Sequence, residues 1–125
     1  MAAFTLEDEN RNGIHVLHAR GSLTLGVGNP VLRETIKNLA GGAPLLIVLD
    51  LGETSYIDSA GLGELVSSYT SITSTGGRLA LAALQKRVVD LLKITKLLTV
   101  FEVFDTVEQA VAGLSVPREN PPRRQ

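Results

Sequence analysis

Apolar residues along the chain follow two spacings, which predict alternating strands and helices. Residues 45–51 (LLIVLDL) and residues 79–84 (LALAAL) are almost continuously apolar, as expected for strands covered on both faces of a sheet. Between them, apolar side chains recur every three or four residues, the spacing of one helix face. These helix positions are Leu62, Leu65, Val66, Tyr69 and Ile72.

The same patterning extends to both ends of the chain. Asn12-Gly13 predicts a tight hairpin turn, and Asn29-Pro30 predicts a helix start with Asn29 as the N-cap. Asp105 is predicted to cap the last helix. The predicted strands are residues 4–7, 14–19, 45–51, 79–84 and 101–104, and the predicted helices begin near residues 29, 59, 86 and 106. This order predicts a single-domain α/β fold, with a mixed central β-sheet, an N-terminal hairpin and about four helices.

Length and charge narrow the possible functions. The chain has 125 residues, 44% of them hydrophobic, and a net charge of −1. We expect one domain over residues 1–115, followed by a disordered Pro/Arg-rich tail over residues 116–125. No basic footprint indicates nucleic-acid binding, and no apolar run is long enough to insert into a membrane. The absence of cysteine excludes disulfides, thiolate metal sites and a cysteine nucleophile. No secretory signal is visible, so we expect the cytoplasm.

Enzyme motifs are missing or incomplete. Ser59 is followed by Gly61 but preceded by Ile57, so the Gly-x-Ser-x-Gly elbow of hydrolases is not formed. His15 and His18 are three apart on a predicted strand, which places them on opposite faces. No phosphate-binding loop or metal-ligand set is present. We therefore expect neither catalysis, nor a cofactor, nor a metal.

Three carboxylates gather after the predicted central strand. Asp50, Glu53 and Asp58 lie where α/β proteins often place ligands, and where phospho-receiver domains carry their aspartate. The tight turn predicted at Asn12-Gly13 argues against a receiver, because the first two strands of a receiver domain are joined by a helix. The acidic pair of a receiver is also missing.

The turn at residues 58–63 (DSAGLG) presents a serine at a helix start. Asp58 and Ser59 are both favoured cap residues, so one interpretation is a helix cap and nothing more. Gly61 and Gly63 are costly in a first helical turn, by about 1 kcal/mol each. Bare backbone around the hydroxyl would let a large partner approach, so a functional surface is equally compatible with these residues. The helix also has a hydroxyl-rich side, interpreted as solvated, with a phosphosite cluster as the alternative; its members are Ser67, Ser68, Thr70, Ser71, Thr73 and Ser74.

The segment around Ser59 resembles the phosphorylation motif of the STAS domain, specifically of bacterial anti-sigma factor antagonists. The similar stretches are residues 47–51, 56–65 (YIDSAGLGEL), 76–81 (GGRLAL) and 101–110 (FEVFDTVEQA). This resemblance implies a STAS-like fold and phosphorylation at Ser59. It also implies a partner-binding surface comprising Thr24, Asp58, Ser59, Ala60, Gly61, Leu62 and Gly63. Family members often carry aspartate at the position of Thr24, so this part of the surface departs from the family pattern.

The resemblance further implies a partner-switching role in transcription regulation and the stress response. An anti-sigma factor that is also a serine kinase would phosphorylate Ser59, and a PP2C-type phosphatase would restore it. The unmodified form would bind the anti-sigma factor and release the sigma factor. The alternative is a STAS subunit of a signalling scaffold or lipid-transport complex in which Ser59 is not phosphorylated. The sequence leaves the oligomeric state open.

Overall fold

A computed structural model describes residues 4–41 and 44–117 and confirms the predicted α/β class. Strand β1 is longer than predicted, and the order ββαβαβαβα is as expected. The strands are β1 (Thr5–Arg11), β2 (Ile14–Arg20), β3 (Leu46–Glu53), β4 (Arg78–Ala82) and β5 (Glu102–Phe104). The helices are α1 (Asn29–Leu39), α2 (Ser59–Thr73), α3 (Lys86–Ile94) and α4 (Val107–Leu114).

The sheet is mixed and follows the strand order β1-β2-β3-β4-β5. β1 and β2 form the antiparallel hairpin, and every other pairing is parallel. The hairpin turn uses Asn12 and Gly13, both at positive φ, and the Gly13 N–H donates to Asn10 Oδ1 over 2.9 Å. The predicted hairpin is therefore confirmed, together with its turn chemistry.

Strand β3 occupies the centre of the sheet and is covered on both faces. Ile47 and Leu49 belong to the core formed with α1, α2 and α3, whereas Val48 belongs to the core formed with α4. Successive side chains of a strand point to opposite faces of the sheet. A strand that contributes to a core on each face therefore needs apolar residues at both odd and even positions. This explains why the run is continuous rather than alternating.

Two predicted caps are wrong. Gly28 is the N-cap of α1, and Asn29 is the first helical residue. A Cβ on Gly28 would lie 2.8 Å from Leu23 Cδ1, so close packing favours glycine at the cap. The last helix is capped by Thr106, whose hydroxyl accepts from the Gln109 N–H over 3.0 Å. The Thr106 hydroxyl, one position after the predicted cap Asp105, is therefore the group that accepts from the free backbone N–H of the first turn.

The predicted tail falls largely outside the described residues, which end at Pro117. Just before that end, the carbonyl of Val116 accepts from Arg78 Nη1 over 2.7 Å. Whether a domain boundary lies at residue 115 stays a prediction. No helix in the two described ranges has both the length and the apolar character needed to cross a bilayer.

His18 links three strands on the α4 side of the sheet. Its Nδ1 lies 2.7 Å from Asp50 Oδ2 in β3, and its Nε2 lies 2.8 Å from Glu9 Oε1 in β1. His15 contacts Asp8 instead. His15 and His18 point to opposite faces of the sheet because they are three residues apart in β2, so each has its own partners.

Both carboxylate contacts favour the charged form of His18. The hydrogen bond to Glu9 first, and that to Asp50 second, raise the pKa of His18 above its ordinary value of 6.5, against the opposing effect of burial. Hydrogen bonds from Arg11 and then from His18 lower the pKa of Glu9 to about 2. His18 therefore links β1, β2 and β3, and both of its carboxylate contacts favour the protonated form.

We predict that His18 makes stability depend on pH. A raised folded pKa stabilises the fold fully below the ordinary value of 6.5, and this contribution is lost as the pH rises through the folded pKa. The free energy of unfolding, measured by urea denaturation from pH 6 upwards, should fall with pH in the wild type and fall less in His18→Gln. His15→Gln is the matched control, because it leaves the three-strand contact of His18 in place. Equal slopes in wild type and His18→Gln would contradict this role.

Candidate functional site

Asp58 holds the start of α2 and an adjoining loop with one carboxylate. Oδ1 accepts from the Gly61 N–H over 2.7 Å, which confirms Asp58 as the N-cap of α2. Oδ2 accepts from the Leu25 N–H over 3.3 Å. The cap residue therefore also fixes the loop that joins β2 to α1.

A backbone ladder connects the same two segments. Leu23 and Ile57 form a parallel bridge, in which the Leu23 N–H donates to the carbonyl of Tyr56 over 3.0 Å. The carbonyl of Leu23 in turn accepts from the Asp58 N–H over 3.3 Å. Leu23 and Ile57 are both buried, so the turn before α2 is anchored in the main core.

The two glycines of the turn have different surroundings. Gly61 is buried, and a Cβ at this position would collide with the carbonyl of Leu23. Gly63 is exposed, and a Cβ there would meet nothing within 4 Å. The requirement for glycine at residue 61 is therefore explained by packing within the domain. Only at Gly63 does the bare backbone face open space.

Ser59 is the first residue of α2 and is exposed. Its hydroxyl has no hydrogen-bond partner in the part of the chain that the structure describes. The N–H groups of Ser59 and Ala60 also lack acceptors within the helix, as at any helix N-terminus. A free hydroxyl thus lies beside free backbone donors and the positive end of the helix dipole.

Exposed apolar side chains lie on the segments that adjoin the α2 turn. Leu25 is 74% exposed and Tyr56 is 50% exposed, while Val27 is 39% exposed. Large apolar groups in this state mark interaction surfaces when they are grouped. Thr24 lies at the base of the same loop, where its carbonyl accepts from the N–H groups of Val27, Gly28 and Asn29. The structure therefore brings the predicted Thr24 close to the predicted residues 58–63.

The three carboxylates within and just after β3 have separate partners. Asp50 contacts His18, and Glu53 pairs with Arg20 at 3.2 Å, while Asp58 caps α2. No group of three potential metal ligands occurs within residues 4–41 and 44–117. The antiparallel hairpin formed by β1 and β2 also differs from the receiver topology considered above. The carboxylates therefore serve the fold here.

Comparison with known proteins agrees with this architecture. A family profile described as STAS domain matches residues 5–110. The chain belongs to the STAS domain family. An anti-sigma-B factor antagonist of Bacillus subtilis is 36% identical over 96 residues, which cover 76% of this chain and 84% of the relative.

Two solved structures show the same fold. A crystal structure of an anti-sigma factor antagonist from Mycobacterium paratuberculosis has a TM-score of 0.80 at 22% identity, covering 91% of this chain and 96% of that one. A Bacillus cell fate determinant in its phosphorylated form has a TM-score of 0.66 at 20% identity, covering 89% of this chain and 98% of that one. These likenesses confirm the STAS fold predicted from the sequence.

Sequence reasoning missed part of this surface. The glycine-rich loop at residues 25–29 was expected near the partner surface and Tyr56 belonged to the quoted motif, but neither Leu25 nor Tyr56 was named as a binding residue. Asn29 was assigned to a local cap, but its side chain is buried and donates to the carbonyl of Ala60 over 3.0 Å. That bond ties α1 to the first turn of α2. Sequence spacing cannot show it, because the two residues are far apart along the chain.

Alanine substitutions at the two glycines should act in opposite directions. Gly61→Ala places a methyl group against a backbone carbonyl and should lower the free energy of unfolding by about 1–3 kcal/mol. Gly63→Ala, at an open helical position, should raise it by about 0.5–1 kcal/mol because alanine loses less backbone entropy. Urea denaturation measures both, and Gly63→Ala is the matched control. A neutral Gly61→Ala would contradict the packing described here.

Proposed function

We propose that this chain is an anti-sigma factor antagonist whose binding is switched by phosphorylation of Ser59. The unmodified form binds an anti-sigma factor that is also a serine kinase, and so releases the sigma factor. The kinase phosphorylates Ser59 and ends the interaction, and a PP2C-type phosphatase restores it. The names of the relatives support the antagonist role, and the geometry of the turn supports the switch.

One observation carries the proposal: the Ser59 hydroxyl is exposed and unpartnered on a turn whose adjoining segments carry exposed apolar side chains. A kinase needs an accessible hydroxyl, and a protein partner needs apolar area to cover. The Leu25 N–H is bonded to Asp58, the residue before Ser59, so the apolar loop and the hydroxyl belong to one surface. The partner-binding surface is thus proposed to include Thr24, Leu25 and Tyr56 together with residues 58–63.

The effect of a phosphate follows from its charge. It would bring about −1.5 to −2 charges and three acceptor oxygens to the first turn of α2. The helix N-terminus favours this charge by about 0.3–1 kcal/mol, whereas the carboxylate of Asp58 opposes it. The carboxylate of Glu64 adds little opposition, because it is buried and paired with Arg33 at 2.8 Å. The domain therefore stays folded, and the cost falls on a docked partner.

Ser59 variants test the switch. Ser59→Ala should bind the cognate anti-sigma factor as well as the wild type does, while Ser59→Asp should bind at least tenfold more weakly, about 1.4 kcal/mol. Calorimetric titration measures the affinities, and far-UV circular dichroism should be the same for all three proteins. Equal affinities for the two variants would remove the basis of the switch. If incubation with the kinase and ATP left no phosphate on Ser59 by mass spectrometry, a STAS subunit of a scaffold or transport complex would be favoured instead.

A loop variant tests the surface independently of the phosphate. Leu25→Ser removes an apolar side chain that a partner would bury, so its affinity should fall about tenfold or more. Ile94→Ser is the matched control, since Ile94 is 79% exposed at the end of α3, outside the proposed surface. Both substitutions are at exposed positions and should change stability by less than about 0.5 kcal/mol. Equal losses of affinity would show that Leu25 has no special place in binding.

A further inference from the structure

A groove between α1 and α2 is separate from the Ser59 turn. Its volume is about 550 Å³, within the range of roughly 300–1,000 Å³ found for small-molecule sites. Its apolar lining comes from Ile36 and Ala40 of the α1 segment, from Leu45, and from Ile72 of α2. Ile36 and Ile72 are buried members of the main core, so the groove reaches the interior of the domain.

Hydroxyl groups line the α2 side of this groove. Ser67, Ser68 and Ser71 all lie on it, although the sequence pattern favoured a solvated face for them. Ser68 is only 5% exposed, and its hydroxyl has no hydrogen-bond partner among residues 4–41 and 44–117. By contrast, the hydroxyls of Thr73 and Ser74 donate to carbonyls of their own helix, over 2.8 Å and 2.9 Å.

The Ser68 oxygen keeps some contact with solvent, because the solvent-excluded unpartnered side-chain atoms of the described residues are Asn29 Oδ1 and Thr54 Oγ1. The Ser68 hydroxyl is therefore poised as a donor or acceptor for a molecule in the groove. Among the described residues, Ser67, Ser68 and Ser71 thus present unpartnered hydroxyls to the groove, whereas Thr75, which also lines it, donates its hydroxyl to the carbonyl of Ile72 over 3.1 Å.

The charges on the groove are unequal. Arg33 and Lys37 contribute two positive charges, and Glu64 contributes one negative charge. Arg33 Nη2 pairs with Glu64 Oε1 at 2.8 Å, and Glu64 is 8% exposed. Lys37 has no ion-pair partner within the described ranges. The net charge of +1 is thus carried by one available ammonium group at the groove.

We propose that the α1–α2 groove binds a small monocarboxylate with an apolar chain. The apolar lining would take the chain, and Lys37 would pair with the carboxylate while the serine hydroxyls supply hydrogen bonds. A single negative charge neutralises the groove, so a monocarboxylate fits better than a dianionic phosphate ester. This site is independent of Ser59 phosphorylation and needs no protein partner.

Octanoate is the probe, and the isolated full chain is the protein. Backbone amide NMR shifts should saturate with a dissociation constant below about 1 mM, with the largest changes at residues 67–71 and 36–40. Octan-1-ol, which has the same chain without the charge, should bind at least fivefold more weakly. Octyl phosphate should not bind more tightly than octanoate.

Variants locate the site. Lys37→Gln should weaken octanoate at least fivefold and leave octan-1-ol unchanged, whereas Lys93→Gln, a matched loss of an exposed cation on α3, should change neither. Ser71→Phe should fill the groove and abolish both interactions. Absence of saturable shifts, shifts centred elsewhere, or tighter binding of octyl phosphate would overturn the proposal.

A protein occupant of the groove is a distinct outcome. If octanoate failed to bind while Lys37→Gln weakened the anti-sigma factor, the groove would belong to the protein interface, and the carboxylate site would be rejected. Failure of the Ser59 switch alone leaves these titrations unaffected, because neither kinase nor partner is present in them.

Discussion

The contact between Leu23 and the first turn of α2 is the constraint on which the functional surface depends. The Leu23 carbonyl accepts from Asp58 and lies so close to Gly61 that no side chain fits between them. The contact joins two segments more than thirty residues apart in sequence. Without it, neither Ser59 nor Leu25 would have a fixed position relative to the other.

Asp58 and Asn29 reinforce this contact with side-chain hydrogen bonds. Asp58 bonds both Gly61 and Leu25, and Asn29 bonds the carbonyl of Ala60. The β2–α1 loop and the α2 turn are consequently held from both sides. A rigid support of this kind suits a switch, because added charge at Ser59 then acts on a partner rather than on the fold.

Charged groups elsewhere on the domain are mostly paired. His18 bonds Glu9 and Asp50, Glu64 pairs with Arg33, and Arg78 pairs with Glu102 at 2.7 Å. Within the described ranges, groups that still lack a partner include the Ser59 hydroxyl, the exposed Leu25, the groove serines and Lys37. The two proposed sites lie on α2, one at its first residue and the other about two turns later.

The sequence by itself determined the strand and helix order, the central position of β3, the hairpin at Asn12-Gly13 and the cap role of Asp58. These features depend on local spacing and on residue chemistry within a few positions, which a pattern can report. Tertiary structure decided the rest. Only the packed structure shows that Gly61 is required by a close contact while Gly63 faces open space. It also shows that Asn29 bonds the carbonyl of Ala60 instead of capping α1, and that part of the polar side of α2 lines a groove. Each of these depends on which distant backbone or side chain lies opposite, and that is fixed only when the sheet brings the elements together.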